Sequence, residues 1–267
     1  MSGRLWVETP MFLLRRDCVG RATAGWKPGL FLEIGAGTGQ LTRNFLERGF
    51  SGTCYDLGAE NRSILRNNLA SFAGTLDVVD SLGEVETESF DYVLAFEVLE
   101  HIESDAEALR SWVRFLRPGG HILISVPSHM LKYNQEDRAV GHYRRYERDQ
   151  LERLFRDAEC AEVQVLSYGF PLAILTRRGN QLLSRWKSNG KTEATQRAEE
   201  LSIRSGVERS DASVRVSKIL NRRTLRPFIA LQRLFFQSDL GDGYVACAVR
   251  RDHVGLPVGR CDWTLST

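Results

Sequence analysis

The sequence predicts an α/β fold, a doubly wound and mostly parallel sheet with helices on both faces and a helical insertion before the last strand. Short apolar segments typical of buried strands alternate with amphipathic helical segments along most of residues 28–170. This alternation is the pattern of a parallel sheet with crossover helices. The composition, with 42% hydrophobic and 26% charged residues, is that of a soluble globular chain. A length of 267 residues suffices for one α/β domain with an elaboration.

The first strand and the turn after it organise the rest of the chain. Residues 30–34 form an apolar run of the kind that is covered on both faces of a sheet. Glycines at positions 35, 37 and 39 allow a tight turn and let a ligand approach the main chain. Thr38 is predicted to cap a helix over about 39–48, which turns three apolar side chains inward, Leu41, Phe45 and Leu46.

The other elements follow in chain order. Strands are predicted at 53–56, 76–79, 90–96, 121–126, 162–167 and 243–250. Apolar residues at helical spacing predict helices at 5–24, 61–72, 104–116 and 148–158. Pro10 would have to lie in the first turn of the N-terminal helix, because proline is tolerated there. The segment Arg117-Pro118-Gly119-Gly120 is predicted to end the helix over 104–116.

The residues around the glycine turn indicate what kind of ligand it would hold. A dinucleotide fingerprint has the spacing GxGxxG, whereas here the glycines follow GxGxG and position 40 is glutamine. Glu33 lies two residues before the first glycine, where a carboxylate suits a cationic ligand better than a pyrophosphate. Asp56 ends the second strand, at the place where βαβ units that bind nucleosides grip a ribose diol. A glycine turn without a ligand is the alternative.

Five segments in order carry a resemblance to a known family: FLEIGAGTG, CYDLG, VVDSL, FDYVLAFEVLEHI and LRPGGHILISVPS. Together they resemble the class I S-adenosylmethionine-dependent methyltransferases, whose core is a Rossmann-like sheet. The resemblance covers about residues 28–170 and fades after that. Within the class, EVLEHI and the later GHYRRY are most similar to small-molecule and quinone-type O-methyltransferases.

The resemblance implies a role for each motif residue towards S-adenosylmethionine. The glycine turn and Glu33 would hold the methionine end, and Asp56 would accept both ribose hydroxyls. Asp80 would accept a hydrogen bond from the adenine amino group. The implied cofactor set is Glu33, Gly35, Ala36, Gly37, Gly39, Asp56, Leu57, Asp80, Ser81 and Phe96. The structural alternatives are a helix-capping role for Asp56 and a turn role for Asp80.

A second cluster follows the fourth strand. If residues 97–101 are helical, Glu97, Glu100 and His101 share one face, because they lie at i, i+3 and i+4. His142 follows the fifth strand, and in this fold the loop after that strand rises at the same sheet edge. Oxygen ligands with one or two imidazoles suit Mg²⁺ or Mn²⁺ and also accommodate Zn²⁺. The candidate metal ligands are Glu97, Glu100, His101 and His142.

The same cluster admits two other interpretations, a metal-free polar site and a purely structural one. Metal-dependent ubiquinone-type and small-RNA 2′-O-methyltransferases resemble this chain in their ExxEH and later histidine, but EVLEHI also occurs in methyltransferases that use no metal. Without a metal, a histidine would remove the acceptor proton. The candidate catalytic residues are His142, His101 and Glu100. Arg144 and Arg145 are predicted to pair with Glu97, Glu100 or an acidic substrate group, or else to be exposed or locally paired.

The chain divides into five predicted segments. They are an N-terminal helical lid at 1–27, the cofactor-binding core at 28–170, a basic helical insertion at 171–240, the last core strand at 241–252 and a tail at 253–267. The insertion holds 14 Lys and Arg residues against 6 Asp and Glu. Its amphipathic helices are expected to cap the substrate pocket, apolar face inward, or to contact a membrane peripherally. We do not expect nucleic-acid binding, because no RNA-binding module is recognisable.

The function predicted from these patterns is methyl transfer from S-adenosylmethionine to a hydroxyl of a small or lipid-like acceptor. One alternative is an RNA 2′-O-methyltransferase with an ExxEH metal site, and another is a non-catalytic protein that binds S-adenosylmethionine or a partner. Five cysteines without a CxxC pair indicate reduced thiols. The sequence shows no secretory signal and no apolar stretch near the ~20 residues that span a bilayer. We therefore expect a cytoplasmic location, or one peripheral to the inner face of a membrane.

Overall fold

The computed structural model describes residues 8–173 and 222–251. They form a seven-stranded sheet in the order β3-β2-β1-β4-β5-β7-β6. The strands are β1 Leu30–Ile34, β2 Ser51–Tyr55, β3 Leu76–Val79, β4 Phe90–Phe96, β5 Leu116–Pro127, β6 Cys160–Tyr168 and β7 Gly243–Arg250. Strands β1 to β5 are parallel, and β7 lies antiparallel between β5 and β6. The predicted doubly wound, mostly parallel sheet is confirmed.

Helices cover both faces of the sheet. They are α1 Pro10–Ala22, α2 Gln40–Leu46, α3 Ala59–Asn68, α4 Asp105–Val113, α5 Gln135–Ala139, α6 Arg148–Asp157 and α7 Arg226–Gln232. Alternate side chains of each strand enter opposite cores, as Phe31 and Leu32 of β1 do. The core on the Phe31 side includes residues of α1, α2 and α3, and the core on the Leu32 side includes residues of α4 and α6.

The N-terminal helix begins where proline permits it. Pro10 occupies the first helical turn, and the Thr9 side-chain oxygen accepts a hydrogen bond from the Phe12 backbone at 3.2 Å. Helix α1 lies against β6 and β7, and Gln232 of α7 donates a hydrogen bond to the Leu14 carbonyl at 3.0 Å. This helix therefore belongs to the packed core of the sheet.

The predicted elements differ from the structure at several of their ends, and two of these differences have a clear physical cause. Thr38 does not cap α2, because Gly39 takes the cap position in a left-handed conformation with φ of 79° and no side chain caps the helix. The helix predicted over 104–116 ends at Val113, and Leu116 begins β5 opposite Phe90. Leu116 is fully buried at the start of β5. Its apolar side chain suits both the helical spacing of 104–116 and the first position of a buried strand, so the spacing did not distinguish the two.

Much of the predicted insertion lies outside the described residues, as do residues 1–7 and the tail from 252 onwards. The described end of the insertion contains α7, and Leu225 and Phe236 are buried in the core on the α1 side of the sheet. Across the two described ranges, 8–173 and 222–251, no helix is long and apolar enough to cross a membrane.

Candidate active site

A cavity of about 600 Å³ opens at the carboxyl ends of β1, β2 and β4. Parallel α/β sheets bind ligands at this edge, where the strand order reverses on either side of the first strand. Helix α1 covers part of the cavity with Met11, Phe12 and Arg15. The glycine turn, the end of β2 and the segment after β4 supply most of the opposite wall.

The glycine turn is fixed by close packing and by a strand. Gly35 has φ of 71° and donates its amide to the Tyr55 carbonyl at 2.8 Å, which ties the turn to β2. A Cβ atom at Gly35 would come within 2.4 Å of Val98 Cγ2, so only glycine fits. Ala36 and Gly37 line the cavity as expected. Gly39 instead packs under α3, where a Cβ atom would meet Leu65 at 2.6 Å.

Asp56 is held rigidly at the cavity wall. Its Oδ2 accepts a hydrogen bond from the Gly37 amide at 2.9 Å, and its Oδ1 accepts from Asn61 Nδ2 at 2.9 Å and from the Gly58 amide at 3.1 Å. The N-cap of α3 is Gly58, so Asp56 is not the helix cap. Because each carboxylate oxygen accepts more than one hydrogen bond, Oδ2 can still bind a ligand hydroxyl.

Glu33 at the end of β1 is buried in the cavity wall, with 2% of its surface exposed. Its Oε2 has no hydrogen-bond partner within the described part of the chain. Burial, reinforced by the nearby Asp56 charge, raises the pKa of Glu33 to about 8. A cationic ligand group beside Glu33 would keep this carboxylate ionised.

Arg15 is a cavity residue that sequence reasoning missed. It reaches the cavity from α1 and forms an ion pair with Glu97, whose Oε1 lies 3.2 Å from Arg15 Nη1. Its Nε is buried and has no hydrogen-bond partner among residues 8–173 and 222–251. A guanidinium group with a buried, unused donor suits an anionic ligand group such as a carboxylate. The sequence shows Arg15 as one of two adjacent arginines in the predicted N-terminal helix, and this pattern does not indicate which of them faces the cavity.

Leu57 and Phe96 line the cavity, but Asp80 and Ser81 do not reach it. The Asp80 carboxylate is exposed and accepts hydrogen bonds from Arg62 Nε at 2.8 Å and from Arg66 Nη2 at 3.1 Å. The Ser81 hydroxyl accepts from the Gly83 amide at 3.1 Å. Leu82, the residue that follows, lines the cavity at this end.

Glu97 does not share a helical face with Glu100 and His101, because only Leu99–His101 forms a short 3₁₀ turn. Glu97 itself has a left-handed backbone with φ of 56°. Its Oε1 accepts hydrogen bonds from Ser125 Oγ at 2.9 Å and from the Tyr168 hydroxyl at 3.1 Å, in addition to the Arg15 pair. Burial alone would raise the pKa of Glu97, but Arg15 and these donors lower it.

Glu100, His101 and His142 come together without Glu97. Each offers a ligand atom, and these atoms all lie within 4.8 Å of one another. Glu100 is fully buried, and neither carboxylate oxygen has a hydrogen-bond partner among the residues that the structure describes. Burial and the Glu97 charge raise the pKa of Glu100 well above its ordinary value. A buried carboxylate without donors is costly unless a proton or a cation compensates it.

The two imidazoles have different surroundings. His101 Nδ1 is buried and has no hydrogen-bond partner in the described ranges. Burial lowers the pKa of His101 to about 4, so its ring is neutral. His142 Nδ1 lies 3.1 Å from Asp137 Oδ1, which leaves Nε2 3.8 Å from Glu100 Oε1. The two rings meet edge to face at 4.7 Å.

These orphaned atoms fit a divalent cation. Two neutral imidazole nitrogens and one carboxylate are a common set for Zn²⁺ and also suit Mn²⁺. His142 has the outer hydrogen bond that metal-ligating histidines usually make through the other ring nitrogen, here from Nδ1 to Asp137. His101 and His142 line the cavity, whereas Glu100 lies behind them.

Arg144 and Arg145 pair with neither Glu97 nor Glu100 but with other carboxylates. Arg144 pairs with Asp105, whose Oδ2 lies 2.9 Å from Arg144 Nη1. Arg145 pairs with Asp137, whose Oδ1 lies 2.8 Å from Arg145 Nη2. Only Arg145 of the two lines the cavity. These two ion pairs fix the segment after β5, one by linking it to Asp105 of α4 and the other within the segment itself.

A parallel sheet of this order, with a glycine turn after its first strand and acidic groups at two strand ends, defines a class I S-adenosylmethionine-dependent methyltransferase. S-adenosylmethionine is the cofactor of that class. The family model described as Methyltransferase domain matches residues 16–165. The chain belongs to this methyltransferase family.

Curated relatives include several ubiquinone biosynthesis O-methyltransferases. The one from Alkalilimnicola ehrlichii is 28% identical over 116 residues, which is 42% of this chain and 47% of that protein. The one from Paracidovorax citrulli is 31% identical over 114 residues, which is 38% of this chain and 48% of that protein. The chain thus spans about half the length of the curated relatives it matches.

Solved structures share the fold at low sequence identity. Phosphoethanolamine N-methyltransferase 2 of Haemonchus contortus, in complex with S-adenosyl-L-methionine, has a TM-score of 0.57 at 16% identity, over 89% of this chain and 52% of that one. A putative methyltransferase of Haloferax volcanii, in complex with the Trm112 activator, has a TM-score of 0.55 at 16% identity, over 89% of this chain and 90% of that one. These likenesses concern the fold alone.

Proposed function

We propose that this chain transfers the methyl group of S-adenosylmethionine to a hydroxyl group of a small or lipid-like acceptor. The observation that carries the proposal is the Glu100–His101–His142 cluster at the cavity, with its unpartnered oxygen and nitrogen atoms. The sulfonium already makes the methyl group reactive, so the protein chiefly aligns the acceptor and excludes water. A hydroxyl acceptor also needs its proton removed. The names of the ubiquinone biosynthesis relatives support an oxygen acceptor.

For the cofactor, we propose that its methionine end lies between Glu33 and Arg15. Glu33 would face the ammonium group and Arg15 the carboxylate, so the two buried atoms without partners, Glu33 Oε2 and Arg15 Nε, would each gain one. Asp56 would accept from the ribose hydroxyls. Leu57, Phe96 and Leu82 would contact the adenine. Asp80 would make no adenine contact, because its carboxylate is exposed and already pairs with Arg62 and Arg66.

For proton removal, we propose a divalent ion held by Glu100, His101 and His142. When bound, such an ion would lower the pKa of the acceptor hydroxyl. The neutral His101 ring and the uncompensated Glu100 carboxylate favour this version. The metal-free version keeps His142 as the general base, since its Nε2 faces away from Asp137 at the cavity wall.

The test is a transfer assay with isotope-labelled S-adenosylmethionine on phenols, sugars, lipids and RNA. Transfer to a hydroxyl compound is expected, with inactivation by a chelator and recovery with Mg²⁺, Mn²⁺ or Zn²⁺. His142→Ala and Glu100→Gln should lose activity. His129→Ala is the matched control, because His129 contacts Glu147 at 3.2 Å and does not line the cavity.

The outcomes separate the parts of the proposal. Wild-type activity in His142→Ala and Glu100→Gln would exclude the cluster from the reaction. Activity that resists the chelator but depends on His142 would exclude the metal and leave the general base. Transfer to RNA alone, or to nitrogen acceptors alone, would contradict the proposed acceptor class.

A further inference from the structure

We infer that Asp137 is a positioning residue that holds His142 in one tautomer and aims its Nε2 at the Glu100 side of the cluster. This inference rests on the proposed function, because it concerns the histidine proposed to act there. Asp137 Oδ1 lies 3.1 Å from His142 Nδ1, and the His142 amide donates to the Asp137 carbonyl at 2.9 Å. The two residues are thus tied by backbone and side chain together.

The chemistry of this contact selects the tautomer. An ionised carboxylate only accepts hydrogen bonds, so a neutral His142 must carry its proton on Nδ1 to use the contact. The Nε2 lone pair is then free on the side where Glu100 Oε1 lies at 3.8 Å. Either proposed role of His142, metal ligand or general base, needs an unprotonated Nε2.

Asp137 is itself held by several donors. Arg145 Nε lies 3.0 Å from each carboxylate oxygen, and Arg145 Nη2 lies 2.8 Å from Oδ1. The Asn134 amide donates to Oδ2 at 2.9 Å. Asp137 is buried, with 3% of its surface exposed. The carboxylate therefore has a fixed orientation relative to the imidazole.

A purely structural role would be the capping of the short helix α5. Asn134 and Asp137 form a capping box at its start. The capping contact and the histidine contact use different oxygens of Asp137, since Oδ2 accepts from the Asn134 amide and Oδ1 faces His142. Helix capping uses Oδ2 alone and Arg145 pairs with both oxygens, so neither accounts for the contact between Oδ1 and His142.

The experiment uses the full chain with ¹⁵N-labelled histidine, free of metal, and reads the His142 tautomer from two-bond ¹H–¹⁵N correlations, assigned with His142→Asn. Wild type should show a single Nδ1–H tautomer. Asp137→Asn should lose that preference and weaken Zn²⁺ binding in calorimetry by about 10–100-fold, with S-adenosylhomocysteine affinity within about two-fold.

Two further variants keep the test decisive. Asp137→Glu retains the charge and suits the capping box, so a helix-capping role predicts wild-type behaviour for this variant. A positioning role predicts weaker Zn²⁺ binding, because the carboxylate is displaced by one methylene. Asp105→Asn is the matched control, since Asp105 is a buried partner of Arg144 and of the Tyr146 hydroxyl at 2.9 Å each and its carboxylate pairs with no histidine in the described ranges. It should leave the tautomer unchanged.

The inference is overturned if wild-type His142 carries its proton on Nε2, or if Asp137→Asn leaves both the tautomer and Zn²⁺ affinity unchanged. Its failure is distinct from that of the proposed function, which the transfer assay decides. An Nδ1–H tautomer that responds to Asp137→Asn supports the positioning role even in a protein that transfers no methyl group to a hydroxyl.

Discussion

Glu33 shows how burial sets the charge of a side chain before a ligand arrives. Its pKa of about 8 means that it is mostly protonated at neutral pH in the free protein. If the cofactor ammonium group binds beside it, as proposed, the carboxylate must ionise and the bound state must have a lower pKa. Binding then releases a proton at any pH between the two pKa values.

The prediction is that S-adenosylhomocysteine affinity rises with pH up to about 8 and levels off above it. The slope is at most about ten-fold per pH unit for one released proton. Calorimetry in buffers of different ionisation enthalpy measures the proton release directly. Glu33→Gln should bind more weakly and lose the Glu33-dependent part of the pH profile. Identical profiles for the two proteins would place the ammonium group elsewhere.

Asp56 and Asp80 provide a paired test of the cofactor site. Asp56→Ala should weaken S-adenosylhomocysteine binding at least about ten-fold, because charge-assisted hydrogen bonds contribute about 1.5–3 kcal/mol each. Asp80→Ala should stay within about three-fold of wild type, since Asp80 pairs with Arg62 and Arg66 outside the cavity. A large loss in Asp80→Ala would restore the adenine contact that the sequence predicted for it.

The same residues show what local pattern can and cannot predict. Glu33 and Asp56 were predicted because each lies at the end of a recognisable strand, and strand ends meet at one sheet edge. Glu97 was grouped with Glu100 by helical spacing, but the left-handed backbone at Glu97 turns its side chain towards Arg15 and Ser125. A positive φ at a non-glycine residue leaves no trace in the residue pattern.

At the scale of elements, helix α1 closes the cavity and supplies Arg15. The helix was predicted from its apolar spacing and from the proline allowed in its first turn. Its docking on β6 and β7 joins segments far apart in the chain, so the inward direction of Arg15 required the tertiary structure. The contact between Asp137 and His142 was not predicted for a related reason. The sequence after β5 is polar and has no helical or strand periodicity, so it does not indicate which of its side chains meet.

We predict that Arg15→Gln weakens S-adenosylhomocysteine binding about ten-fold or more, through loss of one charge-assisted hydrogen bond of about 1.5–3 kcal/mol. The variant should also melt at a lower temperature, because Glu97 loses its charge partner. Arg16→Gln is the control, since Arg16 pairs with Glu8 and does not line the cavity. Equal affinities for the two variants would remove Arg15 from the cofactor site.

At the scale of the whole molecule, the boundary of the insertion needs revision. The sequence placed residues 171–240 outside the core, yet Gln232 donates to Leu14 and accepts from the Gly169 amide at 3.2 Å. Leu225 and Phe236 are buried beside α1. Antiparallel β7, which follows, completes the sheet between β5 and β6. Helix α7 is therefore part of the core that carries the cavity.

This revision changes which deletion the fold should tolerate. Replacing residues 176–219 with a flexible glycine-serine linker removes none of the described contacts of the sheet, of α1 or of α7. We predict a folded protein with S-adenosylhomocysteine affinity near wild type and with methyl transfer lost, because we propose that this segment governs acceptor access. Extending the deletion to residue 236 should unfold the protein, since it also removes three buried residues, Leu225, Gln232 and Phe236.

Circular dichroism, calorimetry and the transfer assay decide this prediction together. Full activity in the shorter deletion would show that acceptors reach the cavity without the segment. Failure of the shorter deletion to fold would assign the segment to the core as well.

Flotation with anionic vesicles separates the two expected roles of the segment, pocket cap and membrane contact. If the basic amphipathic segment contacts membranes, the full chain should move to the lipid fraction and the deletion variant should not. Equal recovery of both proteins in the soluble fraction would leave a cap over the acceptor pocket as its role.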